Sequence, residues 1–108
     1  MDNNSYGMVF VTVGSETEAK KIARILVEEK LAGCVNFYPV TSVYRWQNQI
    51  CEDGEWQLVI KTQMGLFSTL SAKIQELHSY DVPEIIALPI INSSASYRQW
   101  LQDSLQQV

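Results

Sequence analysis

A single histidine, two cysteines and only eight basic residues set the first limits on this 108-residue chain. Two cysteines as far apart as Cys34 and Cys51 do not make a disulfide framework, and no Cys-x-x-Cys spacing offers a soft metal site. Both lie in strand-like apolar runs, where a free thiol behaves as a small hydrophobe; ligation of copper by either is the competing reading. Twelve acidic residues outnumber the basic ones, for a formal charge of −4. Nucleic-acid affinity comes mainly from clustered Lys and Arg, so a polyphosphate partner is not expected. The local group Lys20, Lys21 and Arg24 reads as the solvated face of a helix. No run of about 18 apolar residues is present to span a membrane. The opening Met-Asp-Asn-Asn-Ser has neither the basic nor the apolar part of a signal peptide, so a cytoplasmic location is expected. No Ser/His/Asp set or Cys/His pair can be assembled for nucleophilic catalysis, and no enzyme activity is expected.

Apolar residues, in contrast, make up 46% of the chain, with three Trp, five Tyr and three Phe. One domain over residues 1–108, with an ordered core of about 7–106, is the expectation for this length. Met8–Val13 is a short apolar run that predicts a buried strand, broken by Gly14. Ser15-Glu-Thr-Glu18 fits a capping box, in which the Glu18 carboxylate would return to the Ser15 amide. Ala19, Ile22, Ala23 and Leu26 then recur at helical spacing, with Gly33 placed as terminator. Cys34–Phe37 and Thr41–Trp46 read as strand, with a bulge or kink at Pro39, and Leu58–Thr62 closes a third strand. A turn at Gln47-Asn48 would pair Arg45 with Ile50 and Tyr44 with Cys51, leaving Asp53-Gly54 as a bulge or bend. Leu66, Phe67, Leu70, Ile74 and Leu77 predict a second helix ending near His78. Glu84–Ile91 predicts a fourth strand, and Ser94 or Ser96 a cap for a last helix bearing Tyr97, Trp100, Leu101 and Leu105.

The order β-α-β-β-α-β plus a terminal helix is the split-βαβ, ferredoxin-like α+β arrangement: an antiparallel sheet with helices on one face and a long hairpin between the second and third strands. Each hairpin arm would extend about 35 Å at roughly 3.3 Å per residue. A domain of this size has a radius of gyration near about 13 Å. The hairpin should therefore overhang its own core while carrying Tyr44, Trp46, Ile50 and Trp56, which cost roughly 25 cal/mol for each Å² of apolar surface left in water. Pairing with other copies in a closed assembly removes that cost, and these four residues are the interface candidates. Folding the hairpin back over its own sheet is the alternative.

AGCVNF (Ala32–Phe37), TSVYRW (Thr41–Trp46), VIKT (Val59–Thr62) and LHSYDVPEIIALPI (Leu77–Ile90) resemble the CutA divalent-cation tolerance family, as does Tyr97-x-x-Trp100-Leu101. The resemblance implies a homotrimer and a role in tolerance of copper and other divalent cations. It implies no reaction. The chain departs from the family pattern in reading His78-Ser79-Tyr80-Asp81 where His-Pro-Tyr-Glu/Gln is common, and Asn48 where a turn glycine is usual. The copper site of a bacterial relative uses a first-strand Cys and two adjacent His; the matching positions are Val11, Leu77 and His78, so only His78 is kept.

His78 is thus the metal-ligand candidate, for Cu²⁺ or another divalent cation, against the plainer reading of a histidine favoured by a helix C-terminus. Lys61, Tyr80 and Glu84 are candidates to line a cleft for a small ligand, unless Lys61 and Glu84 form an ion pair. Glu52, Asp53 and Glu55 form an acidic group suited to hard cations or to a charged strand edge. Three functions compete: a trimeric metal-tolerance protein with weak metal binding; a signalling or scaffold trimer holding a metabolite or protein between subunits; and a small hydrolase resembling acylphosphatase. The last needs an Arg in an anion cradle, and Gly14-Ser15-Glu16 has none.

Overall fold

A computed structural model describes residues 5–107, so Met1–Asn4 and Val108 of the expected domain, and with them most of the opening segment, lie outside the described residues. The chain runs β1 (Tyr6–Val13), α1 (Glu16–Glu28), β2 (Cys34–Trp46), β3 (Gln49–Gln63), a 3₁₀ turn at Met64–Leu66, α2 (Phe67–Leu77), β4 (Ile86–Pro89) and α3 (Ala95–Asp103). The strands form one antiparallel sheet in the order β2-β3-β1-β4, the split-βαβ arrangement expected.

Strand alternation divides the sheet cleanly. Val9, Val11 and Val13 of β1 and Leu58, Ile60 and Thr62 of β3 are buried on one face, beneath Ile22 and Leu26 of α1 and Leu70 and Ile74 of α2. α3 closes the end of this layer with Leu101, joined by Leu105, which lies just past the helix end at Asp103 rather than within the helix as expected. Thr62 is the polar member; its hydroxyl donates to the Leu31 carbonyl at 2.8 Å, which removes the cost of burying it. The other face carries Met8, Phe10, Tyr38, Val59, Ile86 and Leu88 by register and has no helix over it.

Four local expectations are corrected. Pro39 makes neither bulge nor kink, and Asp53-Gly54 no bend: the β2–β3 register runs unbroken from Cys34↔Lys61 to Trp46↔Gln49, through Pro39↔Trp56 and Thr41↔Gly54. β2 is an edge strand, so its proline can point a missing donor away from the ladder. Gly33 does not end α1. Lys30 does so, at φ 59°, while the Leu31 and Ala32 amides return to the Leu26 carbonyl. Gly33 is small because Leu101 lies against it; a Cβ there would stand 2.4 Å from Leu101 Cδ1. β4 covers only Ile86–Pro89 rather than Glu84–Ile91.

The turn stands where the sequence placed it. Gln47 and Asn48 adopt φ 50° and 64°, and Arg45 faces Ile50 as Tyr44 faces Cys51. β1 stops at Val13↔Trp56, so the hairpin from Val40 and Glu55 to its tip has no third strand beside it. This overhang stretches the molecule to 45 × 25 × 22 Å.

Gly7 is the tightest point of the sheet: an added Cβ would meet Met64 Sδ at 2.3 Å and the Leu88 carbonyl oxygen at 2.9 Å. Met64 can swing aside, but the β4 backbone cannot. Gly7→Ala is expected to lower stability by about 1–3 kcal/mol as an overpacked site, measured by urea denaturation. Gly54→Ala, which meets nothing within 4 Å, is the matched control.

Candidate functional site

The chemistry of the molecule gathers where the N-terminus of α1, the end of β1, the end of α2 and the hairpin come together. His78, directly after α2, has a fully buried side chain. Its Nδ1 lies 3.0 Å from the Tyr80 amide nitrogen, and its Nε2 lies 2.8 Å from the Thr12 carbonyl oxygen. A backbone amide can only donate, so Nδ1 accepts and the ring proton sits on Nε2, which donates to Thr12. The ring also explains the short β4. Ile90 N–H donates to the Tyr6 carbonyl, so the even-numbered carbonyls of β1 point toward β4. At Thr12 the imidazole takes the place of the next rung.

Glu18 joins this centre from α1. Ser15 caps the helix, accepting the Glu18 amide at 3.1 Å, but the Glu18 carboxylate does not return to Ser15 as the capping box predicts. It accepts the Ser79 amide and hydroxyl, both at 2.9 Å, and stands 3.5 Å from His78 Nδ1. Two donors from the 78–80 loop bind a carboxylate better than one amide from its own turn. Glu18 thus ties α1 to the end of α2.

Tyr80 carries the connection outward. Its ring packs on His78 with centroids 4.8 Å apart, and its hydroxyl donates to Glu55 on the hairpin at 2.8 Å. Tyr44 likewise donates to Asp53 across the hairpin. Burial pushes the Tyr80 phenol well above its ordinary value, with the bond to Glu55 adding to the effect. Tyr44 is pushed up to about 12, chiefly by its bond to Asp53. A raised folded pKa favours the neutral phenol in the native state. The stability it supplies is therefore present below pH 10 and is lost as pH climbs from 10 toward the folded values. Alkaline titration of tyrosine absorbance should show Tyr44 and Tyr80 ionising late, together with Tyr97, which burial also pushes up. Tyr80→Phe should delete one of those late steps.

Between the hairpin and the 80–84 loop lies a groove of about 610 Å³ lined by Thr12, Tyr44, Trp46, Glu55, Asp81 and Glu84, among others. Tyr80 and Glu84 of the expected cleft meet here. Lys61 does not. It sits on the uncovered sheet face opposite Met8 and Cys34, bonded to the Asn36 side-chain oxygen, and makes no ion pair with Glu84 within the protomer.

The four aromatic and aliphatic interface candidates separate by strand parity. Tyr44 and Trp46 point to the uncovered face of the sheet, and Ile50 and Trp56 to the other. Trp46 and Ile50 are 60% and 65% exposed, whereas Trp56 is half-buried against Phe37 with ring centroids 6.2 Å apart. Alternation also splits the acidic group, setting Glu52 opposite Val43 and away from Asp53 and Glu55. Cys34 and Cys51 are both free thiols of intermediate burial.

Among the described residues no group of three or more His, Cys, Asp or Glu side chains is placed to hold a metal ion. The positions matching the relative's copper ligands do not supply that donor set: Val11 is buried in the core, Leu77 packs against it, and both nitrogens of His78 are engaged. Glu18 is the residue that sequence reasoning missed, and Glu55, read there as part of an acidic group on the hairpin, is the partner of Tyr80. Glu18 was visible only as a helix-cap residue, because its true partner lies 61 positions away.

Comparison with known proteins gives a consistent result. The family model described as CutA1 divalent ion tolerance protein matches residues 7–104. The divalent-cation tolerance protein CutA of Thermus thermophilus is 47% identical over 98 residues, covering 90% of this chain and 95% of that protein. The chloroplastic protein CutA of Arabidopsis thaliana is 45% identical over 98 residues, and the match spans only 54% of its length. The crystal structure of CutA1 from Oryza sativa superposes with a TM-score of 0.95 at 38% identity, covering 98% of each chain.

Proposed function

The chain belongs to the CutA1 divalent ion tolerance family, and on that footing we propose that it works as a cytoplasmic homotrimer in divalent metal-ion tolerance, binding copper or a similar cation weakly and catalysing no reaction. The observation that carries the assembly is the apolar sheet face with no helix over it, continuous with a hairpin that overhangs its own core. Tyr38, Ile86 and Leu88 on that face, and Val43, Trp46 and Ile50 on the overhang, are all exposed in a single chain. Both the apolar surface and the open strand edges are costs that a closed assembly removes.

Weak metal binding follows from the state of His78. The ring can offer Nδ1 to a cation only by giving up the Tyr80 amide, and Glu18 is the nearest carboxylate. Affinity is reduced by the cost of that rearrangement. No reaction is assigned, because the groove brings together carboxylates, phenols and an indole without a nucleophile–base pair.

Sedimentation coupled to metal analysis tests both parts. The expected particle has three times the 12.3 kDa mass of the chain. Titration calorimetry should show saturable Cu²⁺ binding that weakens in His78→Ala while Cys34→Ser leaves it unchanged. A single folded chain at micromolar concentration overturns the assembly, and heats no larger than dilution overturn the metal reading.

A further inference from the structure

We propose that residues 79–84 form a lid over the imidazole of His78, held shut by one clamp on the body of the protein and a second on the root of the hairpin. Residues 78–85 belong to no helix or strand. No backbone–backbone hydrogen bond ties residues 79–84 to another described segment, and Asp81 and Glu84 make no side-chain hydrogen bond or ion pair with any described residue. The bonds that hold the loop fall instead on its first two residues. Ser79 gives its amide and its hydroxyl to Glu18 of α1, both at 2.9 Å. Tyr80 packs its ring on His78, occupies Nδ1 with its amide and passes its hydroxyl to Glu55. Gly14 leaves room for that phenol: the three atoms nearest an added Cβ would all be those of Tyr80, the closest its hydroxyl oxygen at 3.4 Å.

The lid covers the single imidazole of the chain, a fully buried ring. Its Nε2 is turned inward to the Thr12 carbonyl, so the lone pair on Nδ1, beneath the Tyr80 amide, is the one that opening would release. The second clamp links this release to the hairpin. β1 ends at the pair Val13↔Trp56, so Glu55 is the first residue of β3 with no third strand beside it. Tyr80 therefore fastens the lid to the start of the overhang, the part of β3 that its own chain supports least. A segment with few bonds to the rest of a protein opens locally at far less than the cost of global unfolding. Losing one clamp raises the open population by the energy of that clamp. Order in the hairpin thus sets access to the imidazole. The lid requires no bound cation.

The test is the rate at which diethyl pyrocarbonate modifies His78 in the whole protein at one fixed pH. The released Nδ1 attacks a carbonyl carbon of the reagent and forms an N–C bond. Ethyl carbonate leaves, takes up the Nε2 proton and decays to ethanol and carbon dioxide. With one histidine in the chain, peptide mass spectrometry reads a single ring. Native protein should react at least about tenfold more slowly than a peptide of residues 76–84, as for a ring reached only through a minor open state. Tyr80→Phe, Glu55→Gln and Ser79→Ala should each raise the rate about two- to fivefold, the range of an exposed charged contact. The Ser79→Ala/Tyr80→Phe double variant should show the product of the two single effects. Glu52→Gln, which strand alternation sets away from Glu55, is the matched control and should leave the rate unchanged. Three results overturn the proposal: native protein reacting as fast as the peptide; no acceleration in the double variant; or equal acceleration in Glu52→Gln and Glu55→Gln. Urea denaturation of each variant separates opening of the lid from unfolding, and an acceleration that matches the loss of global stability also overturns it.

Discussion

His78→Ala is expected to lower the stability of the folded chain by about 2–4 kcal/mol, one of the two largest effects of any change in this region. The substitution leaves the Thr12 carbonyl and the Tyr80 amide without the ring they share and opens a void under Tyr80. Each stranded polar group costs about 1–3 kcal/mol where water cannot reach it. His78→Gln keeps a side-chain donor for Thr12 and should lose less. Urea denaturation of both variants decides the matter: a loss below about 0.5 kcal/mol for alanine, the size of an ordinary surface change, would mean that the ring does not hold the end of β1. The result also governs how metal titrations are read, since weakened copper binding by His78→Ala reports ligation only if the melted fraction has been subtracted.

Ile86→Asp should convert the proposed trimer into single chains while leaving the protomer folded. Ile86 is 51% exposed on the uncovered face, so a single chain tolerates a carboxylate there at a cost typical of surface positions. In the assembly the same carboxylate would be taken out of water opposite apolar surface, at several kcal/mol with no partner charge. Sedimentation at micromolar concentration reads the first effect and far-ultraviolet circular dichroism the second. A trimer that survives the substitution would place the contact elsewhere on the chain.

Most of the fold is legible in the residues because it depends on short-range rules. The apolar run Met8–Val13, helical spacing from Ala19 to Leu26 and the tolerance of Asn48 for positive φ each act within a few positions. The misplaced features depend on distant groups. Gly33 looks like a helix terminator, but its size answers to Leu101, 68 positions along, while Lys30 accepts the strained conformation. Glu84 and Ile85 have strand composition, yet pairing stops at Ile86 because the imidazole of His78 already occupies the Thr12 carbonyl.

The candidate site follows the same division. Tyr80 and Glu84 stand close in sequence and meet in the groove, so their association could be foreseen. Lys61 is a charged residue beside an apolar strand segment, as Glu84 is, but strand parity puts it on the uncovered sheet face. Nothing in a linear reading links Glu18 to Ser79 or Glu55 to Tyr80. Those contacts exist only once α1, α2 and the hairpin have been assembled around one core.

The hairpin beyond Val13 has one further consequence. Two strands with no third beside them are marginal in water on their own. Their order should therefore vary with the amount of protein present, as for any element whose neighbours are supplied by association. On dilution, amide protons between Val40 and Glu55 should exchange with solvent while those of β1 and the lower half of β3 stay protected. The chain would then behave as a rigid body with a conditional limb, shaped by abundance as much as by sequence.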